Sequence, residues 1–144
     1  MWAFYAVIAS ILWGIDYALT EKVLQTVRLP VLLCIELFFG FLTMLGIALF
    51  SGSSKTDLAG LFASNKTLVL VVVIVVAFNI ANMLIVLSIG DKNATLSGLI
   101  EISYPLFIVL FSWLFFRESN LSAGVICGGF FILAGVSLIY FSNK

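Results

Sequence analysis

Asp16, Glu36 and Glu101 set three carboxylates inside long apolar runs, and Asn79 and Asn82 set two amides inside another. Ionisable side chains in such surroundings are costly, face a bundle interior or a hydrated cavity, and mark routes for protons, ions or substrates. At helical rise, Glu36 lies about 9 Å in from Pro30 and Glu101 about 10 Å in from Ala94. Asp16 lies roughly 6–9 Å before its own run ends, and Asn82 about 12 Å from Gly90, with Asn79 a turn deeper. Successive spans reverse direction, so these residues fall at one level, between one membrane face and the midplane. Four helices thereby line a hydrated, electronegative cavity. The chemistry this suits is binding of a proton or a cationic solute, or exchange of one for the other. Trp13, Tyr17 and Tyr104 supply aromatic walls for a cation.

The elements that position these groups read as Trp2–Thr20, Pro30–Phe50, Leu68–Gly90, Ala94–Phe116 and Leu121–Phe141. A hydrocarbon core of about 30 Å needs roughly 20 apolar residues in a helix. With 63% hydrophobic and 10% charged residues, a water-soluble fold is excluded. The mean hydropathy of +1.26 agrees. The runs are continuously apolar rather than alternating, which excludes a β-barrel. The expected fold is an all-α membrane bundle of five transmembrane helices, one domain over residues 1–144, multi-pass.

Zero net charge leaves no basic footprint for nucleic acid. Cys34 and Cys127 lie in different spans and the chain has no His, so no zinc site is expected, nor any other metal or cofactor. The two thiols read as membrane-buried, unbridged cysteines. The first run lacks a basic leading segment and a small-residue cleavage pattern, so it reads as a helix of the mature protein. Glycosylation-type triplets at Asn65, Asn93 and Asn120 abut spans on different sides and read as chance matches. Compactness and the lack of targeting segments suit a plasma membrane, the prokaryotic inner membrane.

Five spans put the termini on opposite sides. One side carries Lys55, Lys66 and Arg117; the other carries Lys22, Arg28, Lys92 and Lys144. Orientation follows the Lys/Arg bias of short loops, and three against four is almost none. Insertion in both orientations would let two copies form an antiparallel pair. The alternative is that the first span or a partner fixes one orientation.

Each feature also has a structural reading. Asp16 can pair with Lys22 near the interface, because long basic side chains snorkel. Asn79 and Asn82 can tie helices together. Pro105 removes the donor to the Glu101 carbonyl and kinks the fourth span, either to free a polar group or as an ordinary packing kink. Gly124, Gly128 and Gly135 share one helical face at i, i+4 and i+11, predicting close approach to another helix. Glu118 opens the fifth helix, where an acid complements the helix dipole.

These residues together resemble one five-helix EamA unit of the drug/metabolite transporter superfamily, across essentially the whole chain. The Trp13-Gly14 pair fits, and the stretch from Asn93 to Tyr140 fits best. It orders a small-residue run, Pro105, the acid Glu118, and then glycines, Gly128 and Gly135 among them, that end in "AGV". Typical members carry two such units in opposite orientation around a central cavity. The resemblance therefore implies a second EamA-type unit, most simply an antiparallel copy, and a small-molecule substrate. Asp16 stands where the family more often has Asn, and Glu36 where many members have Arg. Both add negative charge and favour a cationic or zwitterionic solute.

The expected function is transport of small metabolites or drug-like solutes by alternating access as a dimer, with proton coupling. Inverted repeats place the substrate near the midplane, where rocking exposes it to each side in turn. Glu36 and Glu101 lead the expected site. A non-transporting assembly subunit, or one half of a hetero-oligomeric flippase for a lipid-linked substrate, are the alternatives. An enzyme is not expected, since the roles of nucleophile, base and metal go unfilled.

Overall fold

The computed structural model describes residues 1–52, 54–117 and 122–143. Its helices are α1 (Trp2–Val23), α2 (Leu29–Ser51), α3 (Ser54–Ala63), α4 (Asn65–Asp91), α5 (Ala94–Glu101), α6 (Tyr104–Phe111) and α7 (Ala123–Ser142). A π-helical turn, Ser112–Phe116, follows α6. Among the described residues, five segments are long and apolar enough to cross a membrane, α5, α6 and the π turn together making the fourth. No strand occurs among the described residues, so the all-α membrane bundle holds. Glu118, Leu121 and Lys144 lie outside the described residues.

Local chemistry sets the boundaries. Pro30 opens α2 at a position where its missing N–H costs nothing. Gly52 closes α2 with φ +70°, a left-handed conformation that glycine adopts without a Cβ penalty. Helix α4 begins at Asn65, three residues before its apolar run, because the Ser64 Oγ accepts the Thr67 N–H at 3.3 Å. At 27 residues it is about 40 Å long, so its ends project beyond a bilayer core. The segment between the second and third apolar runs contains α3, where sequence reading expects only a loop. Asp57 in its first turn suits the helix dipole, and its ten residues are too few to register as a span.

The fourth span breaks at residues 102–103, just ahead of Pro105. Two shortened bonds carry the chain through: Ser103 N to Ile100 O at 3.2 Å, and Leu106 N to Ser103 O at 3.0 Å. The π turn ends at Arg117, which takes φ 59° and ψ 22°. A non-glycine residue in that conformation is strained by about 1–3 kcal/mol. Its guanidinium lies 5.4 Å from the centre of the Trp113 ring, a cation–π contact that offsets part of this cost.

Two compact units make up the chain: Met1–Glu21 with Ser88–Lys144, and Lys22–Leu87. In the first, the buried residues are Thr20, Ile89 (2% exposed), Ala94, Ser97 and Gly129. Apart from Ile89 these are small or hydroxylated, whereas most large apolar side chains are exposed. That is the arrangement a lipid-facing bundle requires: packing through small residues inside and hydrocarbon-compatible side chains outside. Ser88 and Ser97 share a 2.8 Å hydrogen bond joining the end of α4 to α5.

The Leu106 side chain of α6 packs directly over Gly129 of α7. A Cβ placed there would sit 2.7 Å from Leu106 Cδ2, too close without movement. Gly129→Val is therefore expected to destabilise the folded protein by about 1–3 kcal/mol, as overpacking does. Adding Leu106→Ala should restore most of the loss, since it removes the clashing methyl groups. Thermal unfolding in detergent of the two single variants and the double variant checks this. Purely additive losses would contradict it.

Candidate functional site

In the first unit, α1 turns Trp13, Tyr17, Thr20 and Glu21 along a face that meets α5. The Tyr17 hydroxyl donates to Glu101 Oε2 at 2.6 Å, the length of a charge-assisted O–H···O bond, and the pair is half-buried. Gly98 makes room one turn earlier on α5. Even a bare Cβ there would touch Tyr17 Cδ2 at 3.4 Å. The Trp13 ring lies 5.7 Å from the Tyr17 ring at 60°, extending the aromatic wall by one turn of α1. Asp16 sits beside Tyr17 in sequence and is exposed, lining an open recess of about 390 Å³ with Ala9, Leu12 and Trp13.

Glu101 ends α5 directly before the break, and Pro105 has no N–H to offer its carbonyl. A carboxylate and a carbonyl deprived of its usual helical donor thus belong to one residue. Tyr104, three residues on, is exposed. The donor to Glu101 is a neutral hydroxyl rather than a basic side chain. A charged carboxylate in this apolar setting keeps a net negative charge that a proton or a cationic group would neutralise.

A second bond fixes α1 to α5. Glu21 Oε2 accepts the Ala94 N–H at 2.7 Å, while Asn93 Oδ1 accepts the Leu96 N–H at 2.8 Å. Acceptors at a helix N-terminus satisfy its free N–H groups, and the negative charge of Glu21 complements the dipole. Tyr17 and Glu21 are one turn apart on α1, so the two bonds set both the spacing and the rotation of α1 against α5. Glu21 and Gly98 were not singled out by sequence. An acid near a membrane interface is ordinary, and Ala94 is 73 positions away from Glu21.

Glu36, Asn79 and Asn82 belong to the second unit. Glu36 is exposed on α2 and Asn82 half-buried on α4. Asn79 donates from Nδ2 to the Val75 carbonyl of its own helix at 2.8 Å. That bond occupies one of its donors and leaves its acceptor oxygen available. The close-packing glycine is Gly129, whereas a Cβ at Gly128 or Gly135 meets nothing within 4 Å and one at Gly124 only Ser122 Oγ at 3.7 Å. Among the described residues, no group of three or more His, Cys, Asp or Glu is placed to hold a metal ion.

Residues 1–141 match the EamA-like transporter family. Comparison with curated proteins and with solved structures gave no match.

Proposed function

The chain belongs to the EamA-like transporter family, and we propose that it exchanges protons for small cationic or zwitterionic solutes. The family makes it a multi-pass membrane transporter of the drug/metabolite type. The observation that carries the finer reading is the Tyr17–Glu101 pair. A half-buried carboxylate, hydrogen-bonded to the neutral hydroxyl of a tyrosine whose ring packs against Trp13, can hold a proton or the positive end of a solute, but not both. Mutually exclusive occupancy is what converts a proton gradient into solute movement, because binding of one partner releases the other.

In this reading Glu101 is the exchange group, and Tyr17 and Trp13 shape its solute-facing side. Asp16 adds negative charge at the mouth, Tyr104 a second aromatic wall, and Pro105 the break that frees the carbonyl of Glu101. Glu36, Asn79 and Asn82, which belong to the second unit, are kept as candidate proton- or solute-binding groups of that unit. The nearly even Lys/Arg distribution supports insertion in both orientations and an antiparallel homodimer working by alternating access. The open face of Gly124, Gly128 and Gly135 offers that second copy a surface. The site of action is the plasma membrane.

Proteoliposomes containing the purified chain alone test this. With an acidic interior, external choline or glycine betaine should accumulate as protons leave, and glucose 6-phosphate should stay out. Preferential uptake of the phosphate ester would overturn the charge reading. Failure of every cation and zwitterion in a broad panel would overturn autonomous transport.

A further inference from the structure

A groove of about 240 Å³ lies where the start of α5 meets the end of α7, lined by Lys92, Leu96, Ile100, Ile139, Tyr140 and Asn143. Its two ends differ in chemistry. Lys92 occupies the short connection between α4 and α5, and Asn143 caps α7, so both belong to the level where helices leave the bilayer. The Lys92 ammonium donates to the Asn143 carbonyl at 3.3 Å, and Asn143 Nδ2 donates to the Ile139 carbonyl at 2.9 Å. These two bonds hold the polar rim together. Leu96 and Ile100, one turn apart on α5, and Ile139 on α7 form the apolar walls, reaching about 10 Å below the rim at helical rise.

We infer that this groove binds an anionic phospholipid, with the headgroup phosphate on Lys92 and one acyl chain between α5 and α7. The order of chemistry along the groove matches that of a lipid: charge at the interface, then hydrogen-bonding groups, then hydrocarbon. Lys92 directs one of its three N–H donors to Asn143, which leaves two for phosphate oxygens. Tyr140 and Asn143 also line the groove and bring a hydroxyl and an amide, groups that suit glycerol and ester oxygens. Among the described residues, no carboxylate lines the groove to oppose an anion. Selectivity must come from the rim, because bulk lipid tails are as apolar as Leu and Ile and give the walls no preference among lipids. The site is separate from Glu101 and does not depend on the proposed exchange.

Native mass spectrometry of the full chain, titrated with phosphatidylglycerol and with phosphatidylcholine of identical acyl chains, tests the inference. The unmodified protein should retain phosphatidylglycerol preferentially. Lys92→Gln should weaken that retention about fivefold, the effect of one basic residue at an anionic surface, without changing phosphatidylcholine. Ile139→Trp should fill the apolar half and lower occupancy of both lipids. Lys66→Gln, at the start of α4 and outside the groove, serves as the control for general charge and should leave the preference intact. Equal retention of the two lipids by the unmodified protein would overturn the inference. So would a preference that Lys92→Gln leaves unchanged or that Lys66→Gln removes equally.

Discussion

Replacing Glu101 by Gln is expected to abolish proton-driven solute exchange while leaving insertion and folding intact. Gln keeps the length of the side chain and retains an acceptor oxygen for the Tyr17 hydroxyl, so the 2.6 Å contact between α1 and α5 survives. What disappears is the charge and the ability to carry a proton. A cation about 4 Å from a carboxylate gains about 4 kcal/mol at an effective dielectric constant near 20, roughly a 1,000-fold difference in affinity. Tyr17→Phe provides the internal comparison. It removes one hydrogen bond to a charged acceptor, worth about 1.5–3 kcal/mol, and should weaken solute binding by roughly 10–100-fold without ending exchange. Uptake assays on both variants decide the matter through their ranking. If Tyr17→Phe is the more damaging, the pair serves to hold helices together. Normal exchange by Glu101→Gln removes the residue from the mechanism.

Gly128→Leu is expected to produce a chain that folds but neither pairs nor transports. A Cβ at Gly128 meets no atom within 4 Å, so the larger side chain has room inside one chain. In a bilayer, however, helices associate through close backbone approach at small residues, and a Leu at the centre of such a face separates the partners by several ångströms. Its contrast with Gly129→Val is diagnostic. Gly129 faces Leu106 within the chain, so substitution there lowers stability, whereas substitution at Gly128 should leave thermal unfolding unchanged and remove the crosslinked dimer. Dimers and transport at the unmodified level in Gly128→Leu would contradict an interface on this face.

The spans were legible because crossing hydrocarbon leaves little freedom in composition: about 20 apolar residues announce themselves. Their ends were less so. Helix α4 starts at Asn65, since a cap such as Ser64 continues a helix into water, where hydropathy gives no signal. Helix α3 was invisible for the same reason. The break in the fourth span could be read from Pro105, but the π turn after Phe111 could not, because five-residue spacing of hydrogen bonds leaves no mark on composition. For the site, polarity in an apolar run singled out Tyr17 and Glu101 separately. Their pairing depends on which helices are neighbours, and the repeat of apolar residues does not carry that information. The glycine spacing drew attention to Gly124, Gly128 and Gly135, yet among these α7 glycines it is Gly129, about 100° around the same helix, that leaves no room for a Cβ.

Central to this account is the competition of proton and solute for one carboxylate, and proton release on solute binding reports it directly. Purified protein in weakly buffered detergent, with a pH dye present, is mixed with a cationic solute that the vesicles accumulate. The account predicts release of about one proton for each solute bound, with no release from Glu101→Gln. Solute binding without proton release, or equal release from Glu101→Gln, would contradict it.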